Sequence, residues 1–172
     1  MRLFFAVFMP DNIKEALAGL TQPRPGWRLT PPEQFHVTLR FLGQVEEQDL
    51  AKWQNLGRKA AGNVPAFFSY LNGTGHFPPR GPARIWQIGV QGEGWQALYQ
   101  ELYRDHEQAQ PEREFYPHVT LARSQGGEPW PAASLNAGFW VESLALVESH
   151  LSSNGSSYQL IESFPLQRQN DG

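Results

Sequence analysis

The sequence contains no cysteine in 172 residues, which excludes disulfides and cysteine-ligated metal and fits a reducing compartment. Charge is scarce as well: Asp, Glu, Lys and Arg together make up 18% of the chain, and the net charge is −3. That balance argues against clamping long stretches of nucleic-acid backbone, which draws on many Lys and Arg contacts, but leaves room for recognition of a single phosphate or a strand end. Long apolar runs are missing too. The apolar start, Met1 to Met9, is cut short by Pro10-Asp11 and no small-residue cleavage site comes after it, so it reads as a first strand and not as a signal peptide. No other stretch is apolar for long enough to cross a bilayer, and a cytoplasmic protein without membrane contact is expected.

What is present describes a globular chain: 40% hydrophobic and 13% aromatic residues, with 14 prolines and 16 glycines to make turns. After the first strand, Asp11 is placed to cap a helix whose apolar positions Ile13, Ala16, Leu17 and Leu20 keep helical spacing. A proline-rich loop over 21–32 leads to a strand over 35–42, and a second helix is expected over 46–61. Strands over 66–71 and 83–90 come next, joined by a long Gly- and Pro-rich turn, then a third helix over about 93–108 and a strand over 115–123. A loose stretch over 124–138 precedes two strands, 141–151 and 158–166, joined through Asn154-Gly155. The resulting order, β-α-β-α-β-β-α-β-β-β, is an α+β protein with helices packed on antiparallel sheet.

One short motif occurs twice, as His36-Val37-Thr38-Leu39 and His118-Val119-Thr120-Leu121. Side chains alternate across a strand, so each copy offers an imidazole and a hydroxyl on one face and two apolar groups on the other. Two such strands side by side would gather two imidazoles and two hydroxyls around one small cavity, a place for a phosphodiester. The repeat suggests two similar lobes within a single domain spanning 1–172, each giving one motif, at 36–39 and 118–121, to a groove between them. Imidazole titrates near ~6.5, so one ring can be neutral while the other is protonated, and the threonines can hold the non-bridging oxygens. Arginine is the natural phosphate partner. Arg40 shares strand parity with His36 and Thr38; Arg123 has the opposite parity to His118 and reaches the phosphate if the strand bends or ends there.

With its flanks, the chain resembles the two-histidine phosphoesterases, and within them the RNA 2′,3′-cyclic phosphodiesterases, also called LigT-like 2′-5′ RNA ligases. The resemblance rests on Arg2-Leu3-Phe4-Phe5-Ala6, on His36 to Gly43, on Gly75-His76-Phe77-Pro78, on Arg84-Ile85-Trp86, on Pro117 to Arg123 and on Tyr158 to Leu166. It implies a bilobal fold of two pseudo-symmetric lobes of antiparallel sheet with helices outside. It also implies hydrolysis of an RNA 2′,3′-cyclic phosphate end to a 2′-phosphomonoester without metal or cofactor. His36 is then the proton donor and His118 the proton acceptor; Thr38, Thr120, Arg123 and, less closely matched, Arg40 hold the phosphate. A monomer acting on RNA ends, tRNA fragments among them, is the expected form, with reversible 2′-5′ ligation as a secondary activity. Small cyclic nucleotides or 2′-5′ oligonucleotides are the alternative substrates, and a non-catalytic module for RNA ends is the alternative class. His76, His106 and His150 are read as loop, helix-face and turn residues, and Phe41, Tyr116 and Trp27 as candidates for base stacking.

Overall fold

A computed structural model describes residues 1–104 and 115–168. Nine strands make one sheet among these residues: β1 (Arg2–Phe8), β2 (Trp27–Leu29), β3 (His36–Gln44), β4 (Phe67–Phe77), β5 (Ala83–Gln91), β6 (His118–Gly127), β7 (Gly138–Val141), β8 (Ser143–Ser152) and β9 (Gly155–Pro165). Three α-helices accompany them among the described residues: α1 (Asp11–Ala18), α2 (Leu50–Gly62) and α3 (Glu93–Tyr103). The end of the expected third helix, with His106, lies outside the described residues. Asp11 belongs to the first turn of α1, where its charge complements the helix dipole, and Pro10 takes the cap position.

The strands run in the order β7-β4-β5-β6-β3-β1-β8-β9, with β2 added beside β6, and all pairings between named strands are antiparallel. The α+β architecture therefore holds. Along the strand order its two halves of four strands meet at Val37↔Val119, between the two motif strands, and the bridge Pro65↔Gln167 ties the lead into β4 to the exit of β9. Exchanging β3 for β6 maps one half on the other: Phe8↔His36 and Val7↔Val37 correspond to Gly89↔His118 and Ile88↔Val119. The pairing runs unbroken from one half into the other, so both belong to one continuous sheet.

Burial explains the layering. Leu3, Phe5 and Val7 point into the main core with Val37, Leu39, Trp86, Ile88, Val119 and Leu121, while Phe4 and Ala6 point to the other face and join Ala145 and Val147 in a second cluster. Apolar side chains on both faces make β1 a continuous apolar run instead of an alternating one. The helices cover the main-core face: a Cβ added to Gly57 of α2 would stand 2.5 Å from the Phe164 ring and 2.9 Å from the Phe5 ring. Leu98 and Leu102 of α3 are fully buried in the same core.

Three details differ from the sequence reading. The first part of the turn expected over 72–82 instead continues β4 to Phe77, with a register shift between Leu71 and Thr74 that absorbs Asn72 and Gly73. The proline-rich loop contains β2, held because Trp27 is buried and its Nε1–H donates to the Glu128 carbonyl at 2.8 Å. The loose stretch ends in β7, which pairs with β4.

Candidate active site

Val37 and Val119 are fully buried in the main core, so the residues on either side of each, His36 with Thr38 and His118 with Thr120, project from the opposite, helix-free face. Antiparallel pairing at Val37↔Val119 sets His36 across from Thr120 and Thr38 across from His118. The two imidazoles occupy a diagonal of that square, where neighbours stand about 7–8 Å apart along the backbone. All four side chains are partly accessible.

Each ring is oriented in the same way. His36 Nδ1–H donates to the Gln34 carbonyl at 2.6 Å and His118 Nδ1–H donates to the Tyr116 carbonyl at 2.9 Å. A carbonyl only accepts, so it fixes the proton on Nδ1 and leaves Nε2 as the working atom of both rings. Thr38 Oγ1 lies 3.0 Å from His36 Nε2, donating to the neutral ring and accepting from the protonated one. Among the described residues His118 Nε2 has no hydrogen-bond partner.

The surroundings of the two rings differ. Phe4, Phe8 and Tyr158 stand 5.4, 5.5 and 5.5 Å from the His36 ring between centroids, with Phe41 at 6.0 Å from Phe4. This enclosure pulls His36 below the ordinary imidazole range; the Gln34 carbonyl opposes the fall, and the charges of Arg123 and then His118 add to it. The only aromatic ring contact of His118 among the described residues is Tyr116, 6.1 Å away and 60% exposed. Burial raises the Tyr158 phenol above its usual value, and Arg123 opposes that rise. The charge of Arg123 therefore reaches both His36 and Tyr158.

Why Arg123 and not Arg40 faces the histidines is a matter of one extra residue in each strand. Along β1, Phe5 pairs with Arg40 and Ala6 with Thr38, so Leu39 is a bulge; along β5, Trp86 pairs with Ala122 and Gln87 with Thr120, so Leu121 is the matching bulge. Each bulge reverses the parity of the residues after it. Arg40 turns with Leu39 toward the helices, is 8% exposed, donates from Nη1 to the Leu102 carbonyl and lies 5.1 and 4.5 Å over the Trp53 and Tyr103 rings. The expectation that strand parity aims Arg40 at a phosphate is thus corrected: the bulge commits it to joining β3 to α2 and α3. The same device in β6 buries Ala122 and returns Arg123 to the histidine face, with Phe41 as its counterpart on β3, 73% exposed.

Of the aromatic residues flagged for stacking, Phe41 and Tyr116 flank the site, while Trp27 is a core residue. His76 is structural: its Nε2 accepts the Trp130 N–H at 2.8 Å, and burial, with the Arg24 charge, lowers its pKa. His150 sits in β8, 3.1 Å from Glu148. Sequence reasoning assigned no role to Phe4, Phe8 or Tyr158, although the even positions of β1 already put Phe4 and Phe8 on the face of the histidines. No group of three or more His, Asp or Glu among the described residues is arranged to hold a metal, and no helix among them is long and apolar enough to cross a membrane.

Residues 7–86 match the family model described as LigT like Phosphoesterase. An RNA 2′,3′-cyclic phosphodiesterase of Thermus thermophilus is 37% identical over 179 aligned positions, covering 96% of this chain and 90% of the relative. One of Aquifex aeolicus is 30% identical, covering 96% and 97%. A crystal structure of a Thermus thermophilus protein superposes with a TM-score of 0.90 at 34% identity, over 99% of this chain and 100% of that one. The fold of Escherichia coli LigT, crystallised with 3′-AMP, matches with a TM-score of 0.81 at 24% identity, over 97% and 98%.

Proposed function

The chain belongs to the LigT-like phosphoesterases of the two-histidine superfamily, an enzyme family of the RNA 2′,3′-cyclic phosphodiesterase type, and from that premise we propose that it opens the cyclic phosphate at an RNA end to a 2′-phosphomonoester. One observation carries the reading. Two imidazoles lie on one face of the sheet, both held through Nδ1 by a backbone carbonyl two residues earlier, so that Nε2 of each is left for proton transfer.

In the proposed reaction, His118 Nε2 takes a proton from water as the water oxygen bonds to phosphorus. The bond from phosphorus to O3′ breaks, and O3′ leaves with the proton from His36 Nε2. Thr38 and Thr120 bind the non-bridging oxygens, Thr38 doing so once it is released from the His36 ring, and Arg123 neutralises charge that builds on them. Protons and bonds balance, and the scheme draws on side chains alone, so turnover is expected to be independent of added metal. The same geometry supports 2′-5′ joining as a minor activity: a 5′-hydroxyl held in line takes the place of water, gives its proton to His118 as its oxygen bonds to phosphorus, and O3′ leaves with the proton from His36.

Replacing His36 or His118 with alanine is expected to lower kcat on a cyclic-phosphate oligoribonucleotide at least ~10²-fold with the melting curve preserved. Wild-type turnover should survive chelator. Near-normal activity in either variant, or loss of activity in chelator with recovery on adding metal, contradicts the scheme.

A further inference from the structure

β2 lies beside the outgoing half of β6 and places Arg28 directly opposite Arg123. Residues directly opposite in an antiparallel pair share a face, so Arg28 stands on the histidine side of the sheet, beyond Arg123. Neither arginine makes an ion pair among the described residues. Like charges set directly opposite one another destabilise a sheet unless an anion lies between or beside them. Here the two heads diverge along the same neighbour. Nη1 of Arg28 lies 3.3 Å from the place a Cβ would take on Gly155, at the turn of the β8–β9 hairpin, where Gln34 Nε2–H donates to the Ser156 carbonyl at 2.8 Å. Arg123 is felt three residues further along β9, at Tyr158, and at His36.

In the reaction proposed above one guanidinium serves the reacting phosphate, and the other stands one strand further out with no ion-pair partner among the described residues. We propose that Arg28 binds the internucleotide phosphate adjoining the cyclic one, and so makes the protein prefer an oligonucleotide end to a mononucleotide. The proposal rests on the cyclic phosphodiesterase reading and adds a second anion site to it. A guanidinium suits the task because its fork meets two phosphate oxygens at once.

The test compares kcat/KM on a dinucleotide ending in a 2′,3′-cyclic phosphate with kcat/KM on the mononucleoside 2′,3′-cyclic phosphate. Arg28→Ala should lower the ratio of the two about tenfold, and Arg28→Lys, which keeps the charge and loses the fork, should fall between the alanine variant and the wild type. The slope of log kcat/KM against log salt for the dinucleotide should become shallower in the alanine variant, one ionic contact having been removed. A dinucleotide whose linkage is an uncharged methylphosphonate should give the wild type the ratio of Arg28→Ala. A ratio unchanged by Arg28→Ala, whether both substrates or neither are affected, overturns the second anion site and leaves the function standing. A wild type inactive on both substrates overturns the function and the site together.

Discussion

The two arginines that strand parity ranked one way and the sheet another are expected to divide into function and stability. Arg123→Ala is expected to raise KM or lower kcat for cyclic-phosphate RNA about tenfold or more, with the midpoint of denaturant unfolding unchanged. Arg40→Ala should do the reverse. It removes a buried guanidinium that donates to the Leu102 carbonyl and covers Trp53 and Tyr103, so unfolding should become easier by about 2–3 kcal/mol, read from urea titration. His36 carries the pH dependence at the same scale. Its pKa in the free protein is lowered by burial, so the folded state binds fewer protons than the unfolded chain in the window just below the ordinary imidazole value, and stability falls as pH falls through it. A bound anion reverses the sign locally: with sulfate, which does not titrate there, the His36 ring should take up a proton, and sulfate affinity should weaken as pH rises through the bound-state value. Imidazole NMR titration with and without sulfate measures both; a free-protein value at or above the ordinary one contradicts the burial argument. If His36 is the proton donor, as proposed, the negative charge of a bound phosphate has to offset the lowering that burial causes.

Among the elements, the long periodic ones were legible from composition and spacing alone: β1, α1, α2, both motif strands and the final hairpin. Their burial is decided by their own side chains. The misses share a different cause. Trp27-Arg28-Leu29 is three residues between prolines, and it becomes β2 only because β3 diverges from β6 after Val37↔Val119 and exposes an edge that β2 fills. β7 likewise exists as a partner for β4, and the Gly-rich run at 72–75 stays in β4 because β5 pairs beyond it. No local propensity announces a strand whose hydrogen bonds come from a distant edge. The bulges at Leu39 and Leu121 were equally silent, since a bulge is a property of two strands counted against each other. At Gly57 the element is at its tightest. Alanine in an exposed helix normally stabilises relative to glycine, yet here Gly57→Ala drives a methyl into Phe164 and Phe5 and should cost about 1–3 kcal/mol, measured as a lower midpoint of thermal or urea unfolding. Gain of stability would mean that α2 is free to lift.

At the scale of the whole molecule, the two motifs were visible in the sequence as words, and their convergence was a geometric expectation that the Val37↔Val119 pairing gives a concrete form. What the words did not carry is the contrast between the halves. The same strand plan, with the same burial pattern through the first nine positions of β3 and β6, surrounds one imidazole with Phe4, Phe8 and Tyr158 and gives the other, among the described residues, the Tyr116 ring. That contrast comes from β1 and β9 packing on one side against β5 and β4 on the other, which only the assembled sheet specifies. The Val37↔Val119 join between the two motif strands also acts as a ruler. Sliding β3 past β6 by two residues would keep each side chain inside or outside as before, so no core contact would protest by changing face, but it would carry one imidazole about 7 Å past the other. Alignment of the two imidazoles is therefore stepwise: from one register to the next the rings move past each other by whole residue pairs, while every apolar side chain keeps its face.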